Sequence, residues 1–203
     1  MAYSLEDGAF LIKAARNAIE LYLKSPRFSR LMVERTLERF NTSTGVFVTL
    51  EHYPTRTLRG CIGYANPVGP LKKLLVEAAI AAAFEDPRFP PISEQELSEL
   101  IVEVSILTKP EHIGSASVSG RLKEIKVGRD GLMITYGFKS GLLLPVVAME
   151  ELWNKEEFLR NLCLKADLPE DAWKRPEISL YKFGSQVFRE AEPSGAVEEV
   201  QLD

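Results

Sequence analysis

Arg59-Gly60-Cys61-Ile62-Gly63 places a guanidinium, a thiol and two glycines within five residues, and that spacing could support thiol chemistry. A permanently charged arginine beside a cysteine favours the thiolate, the nucleophilic form. Strand side chains alternate, so Thr57, Arg59, Cys61 and Gly63 are expected on one face of a strand. Leu58, Gly60, Ile62 and Tyr64 are expected on the other, against the core. Glycines inside a strand mark a bulge or a close approach by backbone or ligand. A plainer reading uses the same residues: Cys61 as a small buried apolar residue, Arg59 paired with a carboxylate, and glycines that permit tight packing. Residue types alone favour the plainer reading.

The elements that must position this stretch follow from turn signals and periodicity. Ser4-Leu5-Glu6-Asp7 reads as a helix start, with Ile12, Ala15, Ile19 and Tyr22 at helical spacing until Pro26. Residues 27–40 mix Arg and Glu with apolar residues and read as a solvated connector with some helix. Residues 45–50 form a strand that turns through His52-Tyr53-Pro54-Thr55 into the arginine–cysteine strand, a β-hairpin. His52 then sits at the tip, nine residues from Cys61, which argues against a Cys61–His52 dyad.

Residues 66–70 read as a loop. Residues 71–85 form a helix that is apolar nearly all round in its second half, hence buried. Asp86-Pro87-Arg88-Phe89-Pro90-Pro91 breaks it, with Asp86 and Arg88 as a local salt bridge or joint ligand contacts. Ser93-Glu94-Gln95-Glu96 opens a short helix. Residues 101–108 form a strand with Glu103 and Ser105 on one face. Glu103 either reaches Cys61 or Arg59, or is solvated on an open sheet face; the second reading is favoured. Residues 110–120, with His112, read as a loop, 125–137 as a hairpin turning at Arg129-Asp130-Gly131, and 140–145 as a glycine-led apolar run. Asn154 caps a helix whose apolar face places Cys163 in the core. Residues 178–189 read as a closing strand with a bend at Gly184, and residues from 191 onward as a frayed acidic tail, disordered at 191–203.

Composition bounds the function classes. In 203 residues, 45% hydrophobic and 27% charged, the net charge is −4. That is a globular composition without the positive footprint nucleic acid requires. No apolar run approaches a membrane span and no signal peptide is read at the N-terminus, so a cytoplasmic location with free thiols is expected. Phosphate-binding glycine loops, zinc-type Cys/His pairs and Gly-x-Ser-x-Gly elbows are not found in the sequence, and no cofactor or metal is expected.

Leu58-Arg59-Gly60-Cys61-Ile62-Gly63 resembles the hallmark of the AMMECR-one family, the Alport syndrome, midface hypoplasia and elliptocytosis chromosomal-region proteins. Phe47-Val48-Thr49, Asp86 to Pro91, Glu103-Val104-Ser105, Leu143-Leu144-Pro145, Glu157-Phe158-Leu159 and Cys163-Leu164-Lys165-Ala166 match in the same order. The likeness spans about residues 5 to 190. Val146 departs from it where microbial relatives often carry glutamine, and Asp167 departs where glycine is common. The resemblance implies an α+β fold of antiparallel sheets flanked by helices, in two unequal lobes with a cleft between them. The larger lobe would comprise about 1–50 and 115–190 and the smaller about 51–114. It implies a candidate site of Arg59, Gly60, Cys61 and Gly63 with Asp86, Arg88, Glu103 and Ser105 as neighbours. It also implies association with a Memo-like protein and a radical SAM protein.

Two functions follow as expectations. The first is an accessory or binding module for those partners or a small anionic ligand. The second is an enzyme with Cys61 as nucleophile in the inter-lobe cleft, Arg59 as its activator and Glu103 as base. The first is preferred, because no base, metal set or cofactor loop accompanies the cysteine.

Overall fold

The structure, a computed structural model, describes residues 2–66 and 68–201, leaving aside the side chains of Phe28 and Glu150. In chain order the first elements are α1 (Leu5–Lys24), α2 (Pro26–Thr36), β1 (Val46–His52), β2 (Thr57–Tyr64), α3 (Leu71–Phe84), α4 (Glu94–Leu97) and β3 (Leu100–Leu107). They are followed by β4 (Glu111–His112), α5 (Val118–Glu124), β5 (Gly131–Tyr136), β6 (Lys139–Leu143), α6 (Pro145–Glu150) and α7 (Lys155–Lys165). A 3-10 turn at Ala172–Lys174, then β7 (Ser179–Phe183), β8 (Ser185–Glu190) and β9 (Val197–Val200), complete the order. The fold is α+β, with two antiparallel sheets and flanking helices.

One compact unit comprises the chain up to Leu107 together with Gln186–Val200. Its sheet has the order β2-β1-β3-β8-β9, so the arginine–cysteine strand β2 is an edge. Val46, Val48 and Leu50 of β1 and Leu100, Val102, Val104 and Ile106 of β3 face a core shared with α1 and α3. The start of α1 is fixed by Ser4 and Asp7, each accepting from the other's backbone amide. Its last turn ends before Pro26, which opens α2 at a position where a missing N–H costs nothing. Buried residues occur on every side of α3, from Leu71 to Ala83, and its alanines bring its backbone close to β2.

The second unit is Thr108–Ser185. Its sheet has the order β4-β7-β5-β6. Leu132, Ile134, Phe158, Leu162, Cys163, Trp173 and Leu180 form its core. The buried Arg121 of α5 donates to the carbonyls of Ser115, Trp173, Arg175 and Ile178, tying the loop before α5 to the 3-10 turn and the loop that leads into β7. Gly141 lies where a Cβ would sit 2.9 Å from the Ala166 amide, so the sheet approaches the end of α7 closely only with glycine there.

Several sequence expectations need correction. The 27–40 connector contains the eleven-residue helix α2. The hairpin in the second half is built by β5 and β6, turning at Gly137 (φ +58), while residues 126–130 only lead into β5. The 110–120 loop is interrupted by β4 and the start of α5, and α6 was not foreseen. The closing strand is two strands: Gly184 separates β7, in one sheet, from β8, in the other. Residues 197–200 of the expected disordered tail form β9 against β8. The lobe boundaries also differ, because β2, α3 and β3 pair or pack with β1 and α1, which puts residues 51–107 in the unit of the N-terminus. Pro67 of the expected 66–70 loop and residues 202 and 203 of the tail lie outside the described residues.

Candidate functional site

Strand β2 pairs with β1 so that Thr49 stands opposite Cys61 and Phe47 opposite Gly63. Leu50 pairs with Gly60, yet Glu51 pairs with Leu58, leaving Arg59 as the extra residue of a β-bulge. That insertion breaks the simple alternation. Gly60, Ile62 and Tyr64 keep to the core side, as their period predicts. Leu58, expected in the core, is exposed opposite Glu51.

Arg59 is not placed beside the thiol. Its Nε donates to Glu96 Oε1 at 2.5 Å, and its Nη2 donates to Glu96 Oε2 at 3.2 Å and to the Pro90 carbonyl at 2.8 Å. The buried guanidinium lies 5.5 Å from the centre of the Phe89 ring, which also carries Arg88 at 5.4 Å. Hydrogen bonding to Arg59 holds the Glu96 carboxyl below its ordinary value. The plainer reading, an arginine paired with a carboxylate, describes this residue.

The Cys61 backbone N–H points out of the free edge of the sheet and donates to Asp86 Oδ2 at 2.9 Å. Asp86 also accepts from the Arg88 backbone amide at 3.1 Å, from Arg88 Nε at 2.9 Å and from Arg88 Nη2 at 2.7 Å. Arg88 Nη2 reaches the Cys61 carbonyl at 3.4 Å. A buried carboxylate that accepts so many hydrogen bonds is held far below the usual carboxylate range, the Arg88 side chain being the largest cause and the Cys61 amide a further one. Asp86 and Arg88 thus form the expected local salt bridge, and the pair closes the edge of β2 at Cys61.

Both hallmark glycines are filled by neighbours. A Cβ on Gly60 would lie 2.1 Å from the Ala82 carbonyl oxygen of α3. One on Gly63 would lie 2.4 Å from the Phe47 ring and from the Val46 carbonyl. The first glycine lets helix and strand touch; the second is roofed by an aromatic ring from the neighbouring strand.

The Cys61 thiol faces Thr49, whose Oγ1 donates to its Sγ at 3.3 Å. Glu103 stands across β1 on the same row, opposite Thr49. It is neither solvated nor bound to Arg59: its Oε2 accepts from Arg189 Nε of β8 at 2.7 Å and lies 2.5 Å from Arg189 Nη2. Ser105, buried, follows one row along, opposite Phe47. Burial pushes the Cys61 thiol above its ordinary value. The Thr49 hydrogen bond and Arg88 act in the opposite direction, and the negative charges of Glu103 and Asp86 add to the rise. At neutral pH the group is a protonated thiol in a row of polar side chains: Cys61, Thr49, Glu103, Arg189.

Sequence reasoning missed Thr49 as the partner of Cys61 and Arg189 as the partner of Glu103, the latter 86 residues away in the chain. In the sequence Glu96 carries only a capping signal, which says nothing of Arg59. No cluster of three or more His, Cys, Asp or Glu arranged to hold a metal occurs among the described residues. No helix among them is long and apolar enough to cross a membrane.

A family model described as AMMECR1 matches residues 12–188. Protein MJ0810 of Methanocaldococcus jannaschii is 48% identical over 199 residues, covering 98% of each chain. A Thermofilum pendens protein is 47% identical over 208 residues, covering 98% of this chain and 97% of its own. The crystal structure of uncharacterized protein PH0010 from Pyrococcus horikoshii superposes with a TM-score of 0.83 at 44% identity, covering 96% of this chain and 97% of the other. The hallmark strand, the edge-closing Asp86–Arg88 loop and these likenesses together place the chain in the AMMECR1 family.

Proposed function

We propose that the protein is an accessory or binding module whose hallmark strand shapes a surface for a partner, without covalent chemistry at Cys61. The observation that carries this reading is that the motif's chemically capable groups are committed internally. Arg59 is held by Glu96 and Pro90, Asp86 closes the strand edge, and the thiol is protonated by burial. A nucleophilic cysteine requires the reverse, a lowered pKa in an electropositive setting. The partners proposed are a Memo-like protein and a radical SAM protein. A small anionic ligand would meet Arg88, whose side chain is 53% exposed.

The test is capture of a Memo-like and a radical SAM protein from the same genome by the immobilised wild-type chain and by Cys61→Ser. Equal capture by both chains supports the reading, and no capture of either protein overturns it.

A second reading, Cys61 as nucleophile with Glu103 as base, rests on the thiol and carboxylate sharing one row. It requires Cys61→Ser to abolish whatever turnover the assembled partners show.

A further inference from the structure

On the helix side of the first unit a groove of about 830 Å³ runs along α1, with residues 194–197, the end of the β8–β9 hairpin turn and the start of β9, among its other lining. This is within the size range of ligand sites. Its buried charged pair is Arg16 and Glu190. Arg16 Nε donates to Glu190 Oε1 at 2.8 Å and Nη2 to Oε2 at 2.5 Å, and the guanidinium also donates to the Leu97 and Leu100 carbonyls. Glu190 further accepts from the Val102 amide at 2.9 Å. The pair is neutral overall and anchored to the backbone at three points, so it supplies a rigid lining rather than a free charge.

The free charges lie on α1 itself. Lys13, Asn17 and Glu20 line the groove at positions i, i+4 and i+7, one above another on a helix. Among the described residues none of these three side chains has a hydrogen-bond or ion-pair partner. Elsewhere on α1, Asp7 is paired with Arg39 and Lys24 with Glu94. Seven residues of helix separate the Lys13 and Glu20 backbone positions by about 10 Å along the axis. Phe10, one turn before Lys13, is partly exposed at that end of the groove, its ring stacked with Phe40 at 6.0 Å and lying 5.1 Å from the Arg39 guanidinium.

We infer that this groove binds an extended peptide segment of a partner protein that carries an acidic and a basic residue three positions apart. In the polyproline II conformation such residues lie on one side of the chain, about 9 Å apart. That matches the axial spacing of Lys13 and Glu20 on α1. The inference is independent of the hallmark strand, whose site residues do not line the groove.

The experiment is an NMR titration of the 15N-labelled full chain at low salt with acetyl-Glu-Pro-Pro-Lys-amide. Acetyl-Lys-Pro-Pro-Lys-amide and acetyl-Glu-Pro-Pro-Glu-amide serve as comparators. The mixed peptide is expected to shift the amides of Lys13, Asn17, Glu20 and Gly195. Lys13→Ala and Glu20→Ala should each weaken it about fivefold, the size of a surface ion pair. Lys13→Glu should transfer preference to the dilysine peptide, a gain that misfolding would not produce. Absent shifts, shifts confined to other residues, equal binding of all three peptides, or the same shifts on raising protein concentration alone would overturn the inference.

Discussion

The Cys61 amide donates to the Asp86 carboxylate at 2.9 Å, so the free edge of the hallmark strand is closed by a side chain 25 residues further along the chain. Two consequences follow for stability. Asp86→Ala removes the acceptor of two backbone amides and is expected to cost about 2–3 kcal/mol in urea unfolding.

The same carboxylate fixes an acid limb. Its folded pKa lies below the unfolded value, so its stabilisation is present above about pH 4 and is lost as pH falls further. Asp86→Asn should flatten the loss of stability between about pH 4 and pH 2, read as denaturation midpoint against pH. An unchanged acid limb would contradict this assignment.

The thiol behaves in the opposite sense. Its folded pKa is raised, so in a Cys163→Ser background the alkylation midpoint of Cys61 should lie above the free-cysteine value of about 8.5. The contribution of Cys61 to stability is present below about pH 8.5 and is lost as pH rises through the folded pKa. Arg88→Gln should raise the midpoint further, because Arg88 is the cation that favours the thiolate. Arg59→Gln should leave it in place, since Arg59 is held by Glu96. A fall in the midpoint to neutral pH would return the nucleophile reading to favour.

Gly60→Ala sets a Cβ against the Ala82 carbonyl at 2.1 Å, a backbone atom that cannot turn aside. The expected cost is about 1–3 kcal/mol, the range for overpacking. Gly69→Ala, whose Cβ meets nothing nearer than 3.8 Å, is the control and should be close to neutral in the same urea titration.

Asp167 follows the end of α7 at φ +54, the left-handed conformation that glycine adopts without strain. Asp167→Gly relieves that strain and forfeits an exposed contact with Lys139. The net result expected is a rise of about 2 °C in Tm by calorimetry.

Local physics made much of this fold legible in the sequence. Capping by Ser4 and Asn154, the stop at Pro26, the all-round apolar character of α3 and the burial of Cys163 each depend on residues within one or two turns of one another. Their partners are determined by spacing. The Asp86–Arg88 pair was legible for the same reason, being two residues apart. Tertiary structure decided the rest. A single inserted residue at Arg59 reverses the side-chain alternation before it, and nothing in a period-two pattern marks which residue is inserted. The plainer reading pairs Arg59 with a carboxylate, but only the fold decides that the carboxylate is Glu96, 37 residues away. Burial then raises the thiol, because a charged sulfur loses hydration that the Thr49 hydrogen bond and the Arg88 charge only partly replace. Residue types determined which groups the hallmark strand carries; only the folding of distant segments onto it decided which of them remain free to react.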